Sequence, residues 1–191
     1  MIELVHVDRI EPQRWRNGGG QTRELLAWPN AADWQLRISV ADITADGPFS
    51  AFPGIDRHFA VIEGAGVLLR FAGWQEMLTP DSAPLAFDGA DAPGCELLGG
   101  DTRDLNLMVR REAGRGSLQR VTDGDEWLSA APHRAVFTRD AARLQIDDAD
   151  AARLPPWTLA FSTHGIRQRW RLFGDDGPAT AWWLDFRPAA R

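Results

Sequence analysis

The residues best suited to chemistry in this chain stand together in "WRNGGGQTREL", where Trp15 and Asn17 precede Gly18, Gly19 and Gly20, and Gln21, Thr22, Arg23 and Glu24 follow at once. Glycine loses more conformational freedom on folding than any other residue, so three in a row point to backbone that must turn sharply or approach a ligand closely. Successive N–H groups can cradle an anion where glycines permit alternating handedness, and a neighbouring arginine such as Arg23 can grip a carboxylate with two parallel hydrogen bonds. Trp15 would wall the pocket and stack on a flat ligand, while Asn17 and Thr22 offer neutral donors and acceptors. A nucleotide site is excluded on two grounds: GxGxxG is absent, and a phosphate loop of the Walker type needs a lysine where all 21 basic residues are arginine.

Other arginines extend the same chemistry. Arg37 sits on the polar side of "WQLRISV", Arg57 flanks His58 in "DRHFAVIEG", and "DLNLMVRR" carries Asp104 and Asn106 on one face. Arg57 or Arg23 would neutralise a ligand carboxylate, with Glu24 or Asp104 orienting the arginines and Asn106 adding a neutral contact. Arg70 and Arg111 are expected at the surface, the usual fate of charged residues.

Metal and nucleophile chemistry find weaker footing. His6, His58, His133 and His164 are scattered and form neither HxH nor HExxH. Asp56 and His58 would share one strand face, with Glu63 five residues on, a set that suits several divalent ions but is short of ligands. There is no GxSxG, and Ser50 in "GPFSAFPG" is read as turn structure. Cys95 is the only cysteine, so an internal disulfide is impossible, and it is read as a small buried apolar residue in a reducing compartment.

These side chains need elements to hold them, and the elements read as strands. "WQLRISV" places Trp34, Leu36, Ile38 and Val40 on one face and Gln35, Arg37 and Ser39 on the other. "DLNLMVRR" sets Leu105, Leu107 and Val109 against Asp104, Asn106, Met108 and Arg110. "FAVIEGAGVLLRF" reads as a hairpin turning at Glu63 to Gly66. Weaker segments with the same alternation recur to the C-terminus, as in a sandwich or barrel. The best helical candidate is "DADAARL", residues 148–154, and "DAARLQIDD" reads equally as helix or strand. Glycines near "RREAGRGSLQ" suggest a joint between two β-rich halves, 1–112 and 113–191, together forming one compact unit.

Composition narrows the functional classes. A 44% hydrophobic fraction over 191 residues can build a core, and 21 basic against 27 acidic residues gives a net charge of −6 with no basic stripe, which argues against nucleic acid. No apolar run is long enough to span a bilayer and the first residues do not read as a signal segment, so a cytoplasmic protein without membrane contact is expected. The apolar "AWWLDF" could bury itself in a homodimer or serve as a core strand.

With these segments in hand, the chain resembles the HutD/Ves family. The resemblance rests on "WRNGGGQTREL", on "WQLRISVADITADGPFSAFPGIDRHF" with its GPFSxFPGxDR core, on the turn at Glu63 to Gly66 and on "DLNLMVRR", which occur in order across residues 1–111. It implies a cupin β-barrel of the RmlC-like jelly-roll type, in two halves as in a bicupin, and a protein encoded with histidine-utilisation functions. It further implies a modulator of that pathway that binds urocanate or a related small carboxylate, with no cofactor. Metal-dependent cupins use an HxH pattern followed by Glu, and here the first of those positions is Asp56, so the barrel is expected to have lost its metal. Two other readings stay open: a cupin-type enzyme acting on a small imidazole or formylated acid, and a structural or partner-binding barrel.

Overall fold

The computed structural model describes residues 2–164 and 166–190. The architecture is all-β, with two short 3-10 turns and no α-helix among the described residues. No helix there is long and apolar enough to cross a membrane. The chain divides into two compact units, one of residues 10–115 and the other joining the residues through Arg9 to those from Gly116 onward.

In the 10–115 unit a six-stranded antiparallel sheet runs in the order Gln13–Arg14, Gly20–Trp28, Leu36–Ile43, Thr102–Arg110, Ile55–Gly64, Leu85–Asp88. A four-stranded sheet runs Gly47–Pro48, Gly94–Leu97, Val67–Phe71, Trp74–Leu78. The two pack over a core that includes Ile43, Phe59 and Val61 from the first and Val67, Leu69 and Cys95 from the second. Leu36, Ile38, Val40, Leu105, Leu107 and Val109 are also buried, all on the other face of the large sheet, as the alternation of both segments requires. Cys95 is the buried residue expected of it, and burial pushes its thiol up to about 12.

Two local expectations fail here. The turn at Glu63 to Gly66 exists, but the strands it joins do not pair: Ile55–Gly64 bonds to Thr102–Arg110 and Leu85–Asp88, while Val67–Phe71 bonds to Gly94–Leu97 and Trp74–Leu78. The connection therefore crosses from one sheet to the other instead of closing a hairpin. Nor does hydrogen bonding close these sheets into a continuous barrel among the described residues, so each remains one wall of a sandwich.

The second unit repeats the plan. A five-stranded sheet runs Glu3–His6, Thr158–Ser162, His133–Thr138, Ala181–Pro188, Gly114–Arg120, and a four-stranded one runs Trp127–Leu128, Arg169–Gly174, Ala142–Ile146, Ala152–Leu154. Trp127 stacks on Trp183 with ring centroids 4.7 Å apart in their shared core. "AWWLDF" is an interior strand here, with Trp182 and Trp183 both buried and Trp183 in the core of this unit. The helix expected at 148–154 is absent: Asp147 turns the chain at φ 53° and Ala152–Leu154 pairs with Ala142–Ile146, because Leu154 gains more from burial in this core than a seven-residue helix gains alone. The first strand pairs with Thr158–Ser162, so the N-terminal residues group with the C-terminal ones and not with those that follow them.

Candidate functional site

The core-facing side of the six-stranded sheet is only partly filled, and beside the core it leaves a cavity of about 730 Å³. Its floor is set by cross-strand register. Arg57, Met108 and Arg37 lie opposite one another on three adjacent strands, and so do Phe59, Asn106, Ser39 and Glu24 on four. Asp104, Ala41 and Thr22 form the next row. Residues directly opposed on antiparallel strands project to the same face, so the alternation in "WQLRISV" and "DLNLMVRR" delivers these polar side chains together.

Arg57 is the centre of the arrangement. Only 6% of it is exposed, and its guanidinium carbon lies 5.0, 5.8 and 5.1 Å from the ring centroids of Phe49, Phe52 and Phe87. Among the described residues it makes one hydrogen bond, Nη2 donating to Asn106 Oδ1 at 2.8 Å, and its buried Nε finds no acceptor. Burial pulls its pKa down to about 10, with the Arg37 charge adding to the fall and Asp104 opposing it, so it stays cationic at neutral pH. The phenylalanines are held by backbone: Phe49 N–H donates to Pro93 O at 2.9 Å and Phe52 N–H to Gly89 O at 2.7 Å. A side chain at Gly89 would crowd the Phe52 and Ile55 carbonyls, so glycine is what lets the Phe52 loop come this close.

Asp104 completes the row without touching Arg57. Asn106 stands between them, its Nδ2 donating to Asp104 Oδ1 while its Oδ1 accepts from Arg57. Asp104 is almost wholly buried, and burial drives its carboxyl well above the usual carboxylate range, the Asp42 charge adding to this and Arg57 opposing it. The cavity thus holds a desolvated cation whose only lining acid is pushed toward its neutral form, with Arg14, Arg16 and Arg37 as further cations in the lining. Such a site attracts a small anion with a planar acceptor edge.

The glycine segment serves the cavity indirectly. Trp15 N–H donates to Gly20 O at 2.9 Å and Gly18 N–H to Trp15 O at 3.1 Å, which makes residues 15–20 a tight turn with Gly18 at φ 75°. A Cβ on Gly20 would collide with the Asp42 carbonyl and press on the Trp15 ring. Gly18 and Gly19 do not line the cavity. They close the turn that sets Trp15 and Asn17 in the wall, where Trp15 Nε1 donates to Thr22 Oγ1 at 2.7 Å.

Of the residues singled out from sequence, Trp15, Asn17, Thr22, Arg37, Arg57, Asp104 and Asn106 meet around this cavity. Glu24 reaches it only through Arg37, whose Nε lies 2.7 Å from Glu24 Oε2 although the N–H is not aimed at that oxygen. Arg23 does not belong: strand alternation turns it to the opposite face, where Asp42 accepts from Arg23 at 2.7 Å, Arg103 at 2.6 Å and Gln21 at 2.8 Å. Burial alone would raise the Asp42 carboxyl, but these three donors outweigh it and hold the carboxyl below its usual value.

The metal candidates also separate. Asp56 and His58 lie on the face opposite Arg57, Asp56 is taken by Arg111 at 2.8 Å, and Glu63 is half-exposed near Arg103. Among the described residues no group of three His, Cys, Asp or Glu side chains is placed to hold a metal. Phe49, Phe52 and Phe87 were not anticipated. Their signal lay in "GPFSAFPG", two aromatics three apart in a loop, which reads as turn until a cation is placed beneath it.

Comparison with known proteins adds a lineage to this geometry. The family model described as HutD matches residues 8–173. An uncharacterised 21.2 kDa protein in the hutC 3′ region of Pseudomonas putida is 35% identical over 139 residues, covering 71% of this chain and 73% of that one. Protein Ves of Cronobacter sakazakii is 32% identical over 123 residues, 64% of this chain and 67% of that one. The solved structure of HutD from Pseudomonas fluorescens SBW25, in a formate condition, superposes with a TM-score of 0.86 at 26% identity, covering both chains fully. Cupin-family structures share the fold alone, among them an oxalate decarboxylase of Lactobacillus farciminis at 8% identity and a TM-score of 0.65, covering 97% and 86% of the two chains.

Proposed function

This chain belongs to the HutD family, and we propose that it is a binding protein for urocanate or a related small carboxylate that modulates histidine utilisation. The observation that carries the proposal is Arg57, a buried cation facing an open cavity with one hydrogen bond made and Nε unpartnered. A buried polar group without a partner costs free energy, and a ligand carboxylate would supply the missing acceptors. Trp15 and Phe49 would flank a flat ligand body, and Asn17 and Thr22 would meet its polar end. In this reading the two units are cupin-like halves of a cytoplasmic protein that acts by binding and not by turnover, with a homodimer as its expected assembly.

Thermal unfolding of chelator-treated protein with urocanate, formate or histidine tests the proposal. Ligand at 100 times its Kd stabilises by about 2.7 kcal/mol, a midpoint shift of roughly 5 to 10 °C for a chain of this size. A shift with urocanate that Arg57→Ala abolishes supports the reading. No shift with any carboxylate, but one on adding a divalent metal, sends the function to the enzyme alternative.

A further inference from the structure

The cavity floor holds a second arginine whose chemistry is as incomplete as that of Arg57. Among the described residues Arg37 makes no hydrogen bond: its one polar partner there is Glu24, an ion pair by distance toward which the N–H is not aimed, and its buried Nε is without an acceptor. It lies in the same cross-sheet row as Arg57 with Met108 between, two strands away, so the two Cα atoms stand about 10 Å apart. The two cations are near enough to repel, because the Arg37 charge disfavours the charge on Arg57. Asp104, the only acid in the lining, is bonded through Asn106 and reaches neither guanidinium directly. A monocarboxylate would satisfy Arg57 and leave Arg37 as it stands.

We infer that the preferred ligand is a short dicarboxylate, one acid group on Arg57 at the buried end and the other on Arg37 at the more exposed end. This rests on the reading of the cavity as a carboxylate site and narrows it to ligands with two acidic ends. Two guanidiniums separated by one thioether side chain match two carboxylates separated by an apolar chain of a few carbons, with Met108 packing against that chain. Arg37 is then the residue that sets specificity and Arg57 the one that sets binding.

Calorimetric titration of the wild-type chain with butyrate, glutaramate and glutarate separates the terms, because the three share a carboxylate and differ in the far end. Glutarate should bind at least about tenfold tighter than either monoacid, the effect of one added charge-assisted pair. R37Q should bring the three ligands to within about threefold of one another, R37K should restore much of the preference, and R57Q should abolish binding of all three. Equal affinities in the wild type, or a glutarate preference that survives in R37Q, would overturn the dicarboxylate assignment while leaving the carboxylate site intact. Binding of none of the three to the wild type would overturn the dicarboxylate assignment, and with urocanate also failing to bind it would overturn the carboxylate site as well.

Discussion

Replacing Arg57 with methionine separates a binding role from a structural one, because the two predict opposite changes in stability. In the folded protein the guanidinium is withdrawn from water and its pKa falls to about 10, a shift worth about 3 kcal/mol against the charged form. The sign follows from linkage: the charged form is disfavoured at every pH below about 10, so the cost is full at neutral pH and fades only above it. Methionine has a similar reach and keeps sulfur–aromatic contact with Phe49, Phe52 and Phe87, worth about 0.3–1.5 kcal/mol where the cation–π contacts are worth about 0.5–2 kcal/mol. The substitution leaves Asn106 Oδ1 without its donor, which costs about 1–3 kcal/mol. Taken at their limits these contributions run from about 2 kcal/mol lost to about 3 kcal/mol gained and centre near 1 kcal/mol of added stability, so the Arg57→Met midpoint should rise by a few degrees while carboxylate binding is lost. Differential scanning calorimetry without ligand and titration with urocanate read the two effects. A midpoint lowered by more than roughly 8 °C, beyond what these contributions allow, would refute the reasoning and make Arg57 a structural residue.

Asp104 makes the site pH-dependent. Beyond burial, the charged groups that act on it are Arg57, which favours the carboxylate, and Asp42, which opposes it. Because its carboxyl is raised in the folded state, affinity for a carboxylate should fall as pH rises through that raised value, and the stability of the ligand-free protein should fall over the same window; Asp104→Asn should flatten both curves. Asn106→Leu removes the bridge from two buried partners at once and should lower stability by about 1–3 kcal/mol per orphaned group, seen as a lower unfolding midpoint together with weaker binding. Gly20→Ala should cost more stability than Gly18→Ala: a Cβ at Gly20 meets the Asp42 carbonyl and Trp15, whereas Gly18 has open space and only its positive φ to lose, a cost of roughly 1 kcal/mol. The order of the two midpoints checks it.

Much of the site was legible because strand alternation is a local property. Once "WQLRISV" and "DLNLMVRR" are read with period two, Arg37 and Ser39 must share a side, as must Asp104, Asn106 and Met108, and pairing of these adjacent strands brings the two sets together. The same rule places Arg23 away from the cavity, but only after Thr22 is known to face it, and sequence alone does not say which parity points inward. The turn at Glu63 to Gly66 was visible, while the crossing between sheets was not, since partner choice depends on long-range pairing that no local spacing encodes. The glycines were visible as a demand for unusual backbone; that the demand came from the Asp42 carbonyl and the Trp15 ring needed the third dimension. The aromatic box around Arg57 draws on two separate stretches, residues 49–52 and Phe87, whose meeting is purely tertiary.

The central claim is that Arg57 receives a ligand carboxylate, and the most direct measurement is an NMR titration of 15N-arginine protein with urocanate, following the Arg Nε–H resonances. The Arg57 signal, assigned by its absence in Arg57→Lys, should shift and saturate as the Nε–H acquires the acceptor it lacks in the free protein. A titration in which that signal stays fixed while urocanate is bound, or in which only solvent-exposed arginines respond, would contradict the account.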